Sequence, residues 1–478
     1  MTTTTVERPS RVAYAAALIG LVVVLDTTIM VIATARLADE FGVGLPVIQW
    51  VTTSYTLALV AVIPLSAWLM ARFGAYRTYL AAIGVFTLGS LLAACSWNIE
   101  SLIAFRAVQG LGGGLLMPVG MTIVLQSTPH GARGRTMAVL GLPVLVGPVV
   151  GPTLGGWLVD DVSWRAIFLV NVPLGIVGLV NAARTMPRDH PTGDRRLDVV
   201  GLLTLSPGVT ALVLGLSEAG RLGRVAEVTV IVPAALGVAL VGGHVARSVR
   251  MQRPLVRFAL MRHRSFAAGS GTLAFFVAAY FGSMLVLPLN LQLIRGESAA
   301  MTGMFNIPQA IATGVALQVA SRLSDRIDPR RIVIVGIALA ATGFAGYGAV
   351  TAADTPYVQL IGWMVVAGIG VGATLMPTMT SAVRSLDGDD LASGNTVLQI
   401  VNQTMVSVGT AVTAVVFATL FAHRVDGADD VDGAYRLSET AREAAAPQMA
   451  DALQGAMLLP VGLMLCALTV AVCGMRRA

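Results

Sequence analysis

The stretch VAYAAALIGLVVVLDTTIMVIATA, residues 12–35, decides the fold class, and Asp26 is its single charge. At about 1.5 Å rise per residue, a helix of this length crosses the roughly 30 Å hydrocarbon core of a bilayer. An ionised group in mid-bilayer costs at least about 2.5 kcal/mol. A chain that keeps such a group usually binds a proton, an ion or a charged substrate with it. The alternative is an ion pair that only stabilises packing.

The composition agrees with a membrane protein. The chain has 478 residues, of which 55% are hydrophobic and 12% charged, and its mean hydropathy is +0.77. These values exclude a soluble protein of this size and predict an all-α polytopic membrane protein. The cysteines and histidines lack metal-ligand spacing, and no Walker-type glycine loop or nucleophile–base grouping occurs. We therefore expect no enzyme activity, no metal and no cofactor.

Apolar runs of spanning length predict fourteen transmembrane helices. Most of the 32 basic residues, all of them arginine, fall in the loops on the side of the two termini. The positive-inside rule then places both termini in the cytoplasm, in a plasma (inner) membrane. The predicted spans are residues 12–35, 47–70, 78–97, 101–127, 136–159, 164–182, 199–217, 227–247, 265–292, 299–321, 331–351, 356–383, 391–421 and 453–475.

Two connecting segments need separate interpretation. The acidic segment 422–452 is expected to be a solvated connector outside the membrane. The basic stretch RSVRMQRPLVRFALMRHR, residues 247–264, interleaves arginines with apolar residues. This pattern favours the surface of the inner leaflet over nucleic acid.

The sequence contains an internal duplication. The fourth run holds GLGGGLLMP (110–118), and the twelfth holds GIGVGATLMP (368–377). AWLMARFG (67–74) after the second run similarly resembles SRLSDRID (321–328) after the tenth. Both pairs keep the same order and orientation. Parallel halves with a substrate site between them are typical of secondary transporters.

The duplication sets the domain boundaries. We predict a six-helix bundle at 1–185, a cytoplasmic linker with two inserted helices at 186–264, and a second six-helix bundle at 265–478.

The fifth run contains GPVVGPTLGGWL (147–158). Gly147, Gly151 and Gly155 recur at helical spacing and make a smooth stripe that lets another helix approach closely. Pro148 and Pro152 remove two backbone donors, so this helix is expected to bend. Gly156 completes the motif.

Several stretches together carry a resemblance to a family: LDTTIMVIA (25–33), QWVTTSYTLA (49–58), ARFGAYR (71–77), FRAVQGLGGGLLMP (105–118), GPVVGPTLGGWL (147–158) and SWRAIFLVNVPLGI (163–176). Over almost its whole length the chain resembles the fourteen-helix drug:proton antiporters of the major facilitator superfamily. The resemblance implies export of hydrophobic compounds driven by proton entry, through alternating access. It also implies proton-coupling roles for Asp26 and Arg106 and an antiport role for the glycine–proline run. We expect hydrophobic small molecules, protons and membrane lipids as partners, no nucleic acid, and a monomer.

The resemblance also implies a cytoplasmic gate, formed by Arg72, Gly74, Arg77, Asp325 and Arg326. The first copy of this motif departs from the family pattern because Ala71 stands where an aspartate is usual. The second copy keeps Asp325 but has Asp328 where glycine is usual. The first copy therefore lacks the carboxylate that the family's gating contact uses.

The two intramembrane charges are expected to pair. Helix one is expected to run outward with Asp26 about 13 Å short of Ala35, and helix four inward with Arg106 about 10 Å past Ile99. The two charges are therefore expected at similar depth in the outer half of the membrane. Such charges generally face a cavity and pair with one another. Burial favours the neutral form of a carboxylate and a nearby cation favours the ionised form. We expect Asp26 to face the central cavity, to accept the proton and to be tuned by Arg106.

Other cavity residues are expected among the polar and methionine side chains of the apolar runs: Tyr55, Gln109, Met117, Asn290, Asn306, Gln309, Asn395, Gln399 and Asn402. Three of them, Asn395, Gln399 and Asn402, share one helix face. The alternative role is hydrogen bonding between helices, worth about 0.6 kcal/mol each.

Two other functions stay open on the residues alone. The first is a proton-coupled or facilitated importer of a small nutrient, which parallel halves do not exclude. The second is a transporter of lipid or cell-envelope precursors, which an elongated apolar cavity with a lateral opening would favour.

Overall fold

The computed structural model describes residues 11–129, 132–189, 196–251, 254–352, 354–384, 386, 388–425 and 439–475, and within these residues it contains helices and no strand. The α-helices are α1 Arg11–Phe41, α2 Leu45–Val62, α3 Ser66–Phe73, α4 Ala75–Ala94, α5 Ile99–Gln126, α6 Arg133–Leu140, α7 Leu142–Trp157, α8 Ala166–Leu169, α9 Asn171–Thr185, α10 Val199–Leu222, α11 Val228–Ser248, α12 Arg264–Leu289, α13 Ala299–Leu323, α14 Pro329–Ala349, α15 Tyr357–Ala382, α16 Gly388–Arg424 and α17 Glu439–Gly474. Residues 63–65 and 258–262 form 3-10 turns, and 158–162 and 290–294 form π-turns.

Twelve described helical segments are long and apolar enough to cross a membrane. The chain is therefore a multi-pass membrane protein. The predicted spans 136–159 and 299–321 are not among the twelve. The first is divided at Gly141 into α6 and α7, and the second is α13, which carries several polar side chains. The count of fourteen stays a prediction.

Local sequence signals set several helix ends. Asn98 begins α5 with a capping box, in which its side chain accepts the backbone N–H of Ser101 over 2.8 Å. Gly74 separates α3 from α4 at φ +87°, a conformation that favours glycine. Asp189 then accepts the N–H groups of Ala75 and Tyr76, over 2.6 and 3.0 Å, and satisfies the start of α4.

Equivalent helix contacts in the two halves support the duplication. A Cβ added at Gly112 of α5 would lie 2.4 Å from the backbone N of Phe86 on α4. The matching glycine of α15, Gly370, would place a Cβ 2.1 Å from the backbone N of Ala340 on α14. Three further glycine contacts repeat in the same way: Gly110 with Tyr55 and Gly368 with Gln309; Gly114 with Leu59 and Gly372 with Thr313; Gly89 with Gln109 and Gly343 with Ala367.

The two bundles meet at one end of the molecule. We call this the linker end; the residues that follow α3, α5, α9, α11 and α13 lie there, namely Gly74, Ser127, Met186, Val249 and Ser324. One hydrophobic core spans both bundles and includes Met137 and Met379. The core around Ile29 and Phe168, farther from the linker end, belongs to the first bundle alone. The bundles are therefore packed together at the linker end.

The inserted helices attach along one side of this assembly. Helix α10 contacts α2 of the first bundle and α16 of the second. Its Gly220 and Gly223 lie against Ala411 and Ala418 of α16. Helix α11 packs on α10, and much of its surface is exposed, including Val228, which is 73% exposed.

Asp198 fixes the linker to these helices. Its carboxylate caps α10 at Gly201 and accepts two bonds from Arg247, both 2.9 Å. It also accepts the N–H of Leu255 in the linker. Burial alone would raise the pKa of Asp198, but the bonds from Arg247, Gly201 and Leu255 lower it below its ordinary value. The carboxylate is therefore ionised and paired at neutral pH.

Two sequence expectations about connecting segments need correction. Leu255, Val256 and Leu260 of the basic stretch are buried in the core instead of lying on a leaflet, because they cover apolar residues at the bundle ends. The predicted connector 422–452 is largely helical at its far end, since α17 begins at Glu439. Residues 426–438 lie outside the described part of the chain.

The glycine contacts yield a stability prediction. Gly112→Ala should lower the free energy of unfolding by about 1–3 kcal/mol, because the added methyl group would overlap backbone atoms of α4. Gly84→Ala on α4 is the control, since its Cβ would meet no atom within 4 Å. Thermal unfolding of both variants in detergent measures the difference. Equal stability would contradict the packing described.

Candidate functional site

Helices α1 and α5 bring Asp26 and Arg106 together. Arg106 Nη1 donates to Asp26 Oδ2 over 2.8 Å, and each side chain is only 1% exposed. The expected pairing is present in the structure. Because both charges are enclosed by protein, neither faces lipid.

Further polar side chains complete a buried cluster around this pair. Gln109 Nε2 and Asn171 Nδ2 each donate to Asp26 Oδ1 over 2.8 Å. Gln109 Nε2 also donates to Ser90 Oγ over 2.7 Å, and its Oε1 accepts from Arg106 over 2.6 Å. Four helices, α1, α4, α5 and α9, therefore contribute to this cluster.

Asn171 and Ser90 were missing from the residues expected on sequence grounds. Asn171 belongs to the motif SWRAIFLVNVPLGI and begins α9, where a polar residue normally indicates a helix end. Ser90 is one of many serines in apolar helices. The only signal pointing to Asn171 was its place in a motif.

Aromatic rings hold the guanidinium of Arg106 from the other side. Its Cζ lies 4.3 Å from the ring centre of Tyr55 and 5.7 Å from that of Phe168, within the range of cation–π attraction. Arg106 Nε also donates to the backbone oxygen of Val51 over 3.3 Å. Glycines on α5 allow α2 to approach, since a Cβ at Gly110 would lie 2.3 Å from the backbone oxygen of Tyr55.

The glycine stripe of α7 packs on α1 beside Asp26. Gly147 faces Val24, Gly151 faces Thr28 and Gly155 faces Ile29. A Cβ added at these glycines would lie 2.1, 2.1 and 3.0 Å from the facing side chain, respectively. The stripe therefore gives close helix approach. Gly156, the last glycine of the motif, faces open space. Helix α7 continues past Pro148 and Pro152. The side chains of these two prolines lie outside the described part of the chain.

A cavity of about 40 Å³ lies between the bundles, nearer the linker end than Asp26. Among the expected cavity residues, Met117 and Gln399 line it. Helix α1 contributes Ala16, Gly20 and Val23. Its wall also contains methionines from both halves: Met117, Met121, Met137, Met376 and Met379. Pockets for drug-sized ligands are about 300–1,000 Å³, so this space must widen to hold one.

Asp26 does not line this cavity, contrary to expectation. Its side chain turns into the first bundle, where Gln109 donates to it and the ring of Tyr55 lies against its partner Arg106. Tyr55 and Gln109 were also expected in the cavity. Val23, one helical turn away on α1, does line the cavity. The helical spacing gave the depth of Asp26, but its rotation around the helix axis depends on partners from α5 and α9.

The remaining expected cavity residues have different surroundings. Asn290 is buried inside the second bundle and donates to the Tyr347 hydroxyl over 2.8 Å, so its role there is structural. Asn395 donates to Thr122 over 2.9 Å and joins the two bundles. Gln309 is buried, and Asn306 and Asn402 are half-buried on α13 and α16.

One residue of the expected gate joins the two bundles. Asp325, after α13, accepts the N–H groups of Gly134 and Arg135 at the start of α6, over 2.7 and 3.0 Å. A carboxylate is favourable at a helix N-terminus because the unpaired N–H groups and the helix dipole point toward it. A Cβ at Gly134 would lie 2.1 Å from the backbone oxygen of Ser321, so only glycine allows this approach.

The other expected gate residues lie at the surface or in a turn. Arg72, Arg77 and Arg326 are exposed, and Gly74 forms the turn before α4. The first-half position of the aspartate holds the buried Ala71. Only the second-half copy of the motif therefore contributes an aspartate to the contact between the bundles.

The comparisons with known proteins agree with this fold. The model of the Major Facilitator Superfamily matches residues 16–413. The chain belongs to this superfamily. It is 38% identical over 400 residues to the multidrug resistance protein B homolog of Mycobacterium tuberculosis (strain ATCC 25618 / H37Rv), covering 83% of this chain and 74% of that protein.

Two further similarities come from another relative and a solved structure. The chain is 28% identical over 392 residues to the multidrug export protein EmrB of Escherichia coli (strain K12), covering 82% of this chain and 76% of that protein. Among solved structures, the human organic anion transporter MFSD10 (TETRAN) aligns with a TM-score of 0.63 at 14% identity. That alignment covers 96% of this chain and 100% of MFSD10 and shows the superfamily fold.

The Asp325 contact yields a prediction about closure. Asp325→Ala should loosen the linker end, because α6 loses the carboxylate that binds its first N–H groups. Spin labels at Arg77 and Arg384, in a background without native cysteines, should report longer and broader distances. The control is Asp328→Ala, since Asp328 caps α14 within its own bundle. Identical distances in both variants and the parent would contradict this role.

Proposed function

We propose that this protein is a proton-coupled antiporter that exports hydrophobic compounds across the plasma membrane by alternating access. The observation that carries the proposal is the buried Asp26–Arg106 pair in the first bundle. The printed names of the multidrug relatives support the cargo class. In this proposal the chain is a monomer with fourteen spans and both termini in the cytoplasm. It needs no cofactor beyond the transported proton.

Asp26 is the proton acceptor in this proposal. In the present conformation the carboxylate is bound by three donors from Arg106, Gln109 and Asn171, an arrangement that suits the ionised form. A proton from outside reaches it only when α1 moves relative to α5 or α9. The proton then leaves to water inside after the opposite change. One proton moving down 100 mV supplies about 2.3 kcal/mol.

The cavity between the bundles is the substrate site in this proposal. Methionine side chains are flexible and polarisable, so they adapt to hydrophobic ligands of different shape. Five methionines from both bundles meet there, with Gln399 as a polar contact. Because the linker end is closed by Asp325 and by the shared core, the conformation corresponds to an outward-facing state when that end lies in the cytoplasm.

Replacing the carboxylate tests the coupling. Asp26→Asn should abolish ethidium export driven by a pH gradient, because an amide takes up no proton in this range. The measurement is ethidium accumulation in a pump-deficient host, followed by transport in inverted vesicles with an imposed gradient. Export against a gradient by Asp26→Asn would refute the assignment. Import in the wild-type vesicles would favour a nutrient transporter.

Two controls separate coupling from folding. Asp39→Asn removes an exposed carboxylate from the same helix and should leave export unchanged. Asp26→Asn alone leaves Arg106 buried without its counter-ion, which commonly costs about 3–5 kcal/mol. The double variant Asp26→Asn, Arg106→Gln removes both charges and should fold better than the single variant while still lacking coupled export.

Filling the cavity tests the substrate site. Met376→Trp should reduce export of ethidium several-fold, because the larger ring occupies space that the substrate needs. Met301→Trp is a matched control, since Met301 is 42% exposed at the other end of the second bundle. Export rates in vesicles at matched expression give the comparison. Equal rates in the two variants would place the substrate elsewhere.

A further inference from the structure

We propose that Asn171 is a positioning residue that sets the proton affinity of Asp26. Its amide donates to the ionised carboxylate in the present conformation and so opposes proton uptake. The transport consequence rests on the proposed function. The effect on proton binding can be measured without any substrate.

The bonding of Asp26 Oδ1 gives the first argument. A carboxylate oxygen has two lone pairs, and Gln109 and Asn171 each donate to this one over 2.8 Å. A proton from water can form an O–H bond at Oδ1 only if one of the two amides leaves, whereas Oδ2 accepts only Arg106 among the described residues and keeps a lone pair for a proton. Whichever oxygen takes the proton, each amide donor favours the ionised carboxylate over the protonated carboxyl group.

The two amides differ in how firmly they are held. Gln109 is bound at both ends, since its oxygen accepts from Arg106 and its nitrogen also donates to Ser90. Turning the Gln109 amide over would place its NH₂ donor against the guanidinium, which is also a donor, and its oxygen against the carboxylate, which is also an acceptor. Both hydrogen bonds would then be lost. Asn171 Oδ1, although buried, has no hydrogen-bond partner among the described residues. Asn171 is therefore the amide that can leave at lower cost.

The other groups around Asp26 do not replace this role. Helix α5 contributes the charged Arg106, and α2 contributes the titratable Tyr55, whose ring lies against Arg106. Helix α4 contributes Ser90, which reaches Asp26 only through Gln109. Helix α7 presents its glycine stripe to this part of α1. Among the described residues, Asn171 is the remaining polar side chain that touches the carboxylate.

An infrared titration of the full-length protein in lipid tests the proposal. The carbonyl band of protonated Asp26 is identified as the band that Asp26→Asn removes. Asn171→Leu has a similar shape but no donor, so the ionised form loses a hydrogen bond. The midpoint of the band should rise by on the order of one pH unit. The alkaline limit of ethidium transport should move in the same direction.

Matched variants separate positioning from folding. Asn171→Ala removes the same donor with a smaller side chain and should shift the midpoint in the same direction. Asn181→Leu, about 15 Å farther along the same helix at 1.5 Å per residue, should leave the midpoint unchanged. Lower thermal stability with an unshifted midpoint in both Asn171 variants would overturn the proposal. That result would leave the proposed function intact, because the Asp26→Asn export assay and the direction of wild-type transport test that function separately.

Discussion

The pairing of a buried carboxylate with a buried guanidinium constrains the whole first bundle. Removing one partner of such a pair commonly costs about 3–5 kcal/mol, because the other charge stays in a low dielectric. Asp26 on α1 therefore requires Arg106 on α5 at hydrogen-bond distance. The glycines of α5 and α7 follow from this requirement, since they let α2 and α1 approach closely enough to seal the cluster. Water is thereby excluded from the pair in this conformation.

The two halves share their packing but differ in their chemistry. The repeated glycine contacts show that Gly110 corresponds to Gly368 and Tyr55 to Gln309. By the same register, Met364 and Ala367 stand where the first bundle has Arg106 and Gln109, and both are buried. Close contact between helices needs only small residues at fixed positions, so both halves keep it. The charged cluster needs several partners at once and occurs in the first bundle alone among the described residues.

The sequence predicted an all-helical membrane fold and its duplication, because hydropathy and glycine spacing act along single helices. It also predicted the pairing of Asp26 with Arg106, because two opposite charges at similar depth in a membrane generally pair. It did not predict the rotation of Asp26 away from the cavity. That rotation depends on Arg106, Gln109 and Asn171 together, which are far from Asp26 in the chain and are brought close only by folding. The expectation that Asn290 lines the cavity is wrong for a similar reason. A polar residue in an apolar helix can face either a cavity or the interior of a bundle, and Asn290 donates to Tyr347 inside the second bundle.

Helix α1 connects the two parts of the candidate mechanism. Ala16, Gly20 and Val23 line the cavity at helical spacing, and Asp26 follows one turn later on a neighbouring face. A ligand that widens the cavity pushes on its walls, which include α1 and α5. Because α1 and α5 also carry the ion pair, displacement of either helix changes the bonds to Asp26. In the proposed mechanism, coupling then needs no long chain of contacts, since one helix contacts both the ligand and the proton acceptor.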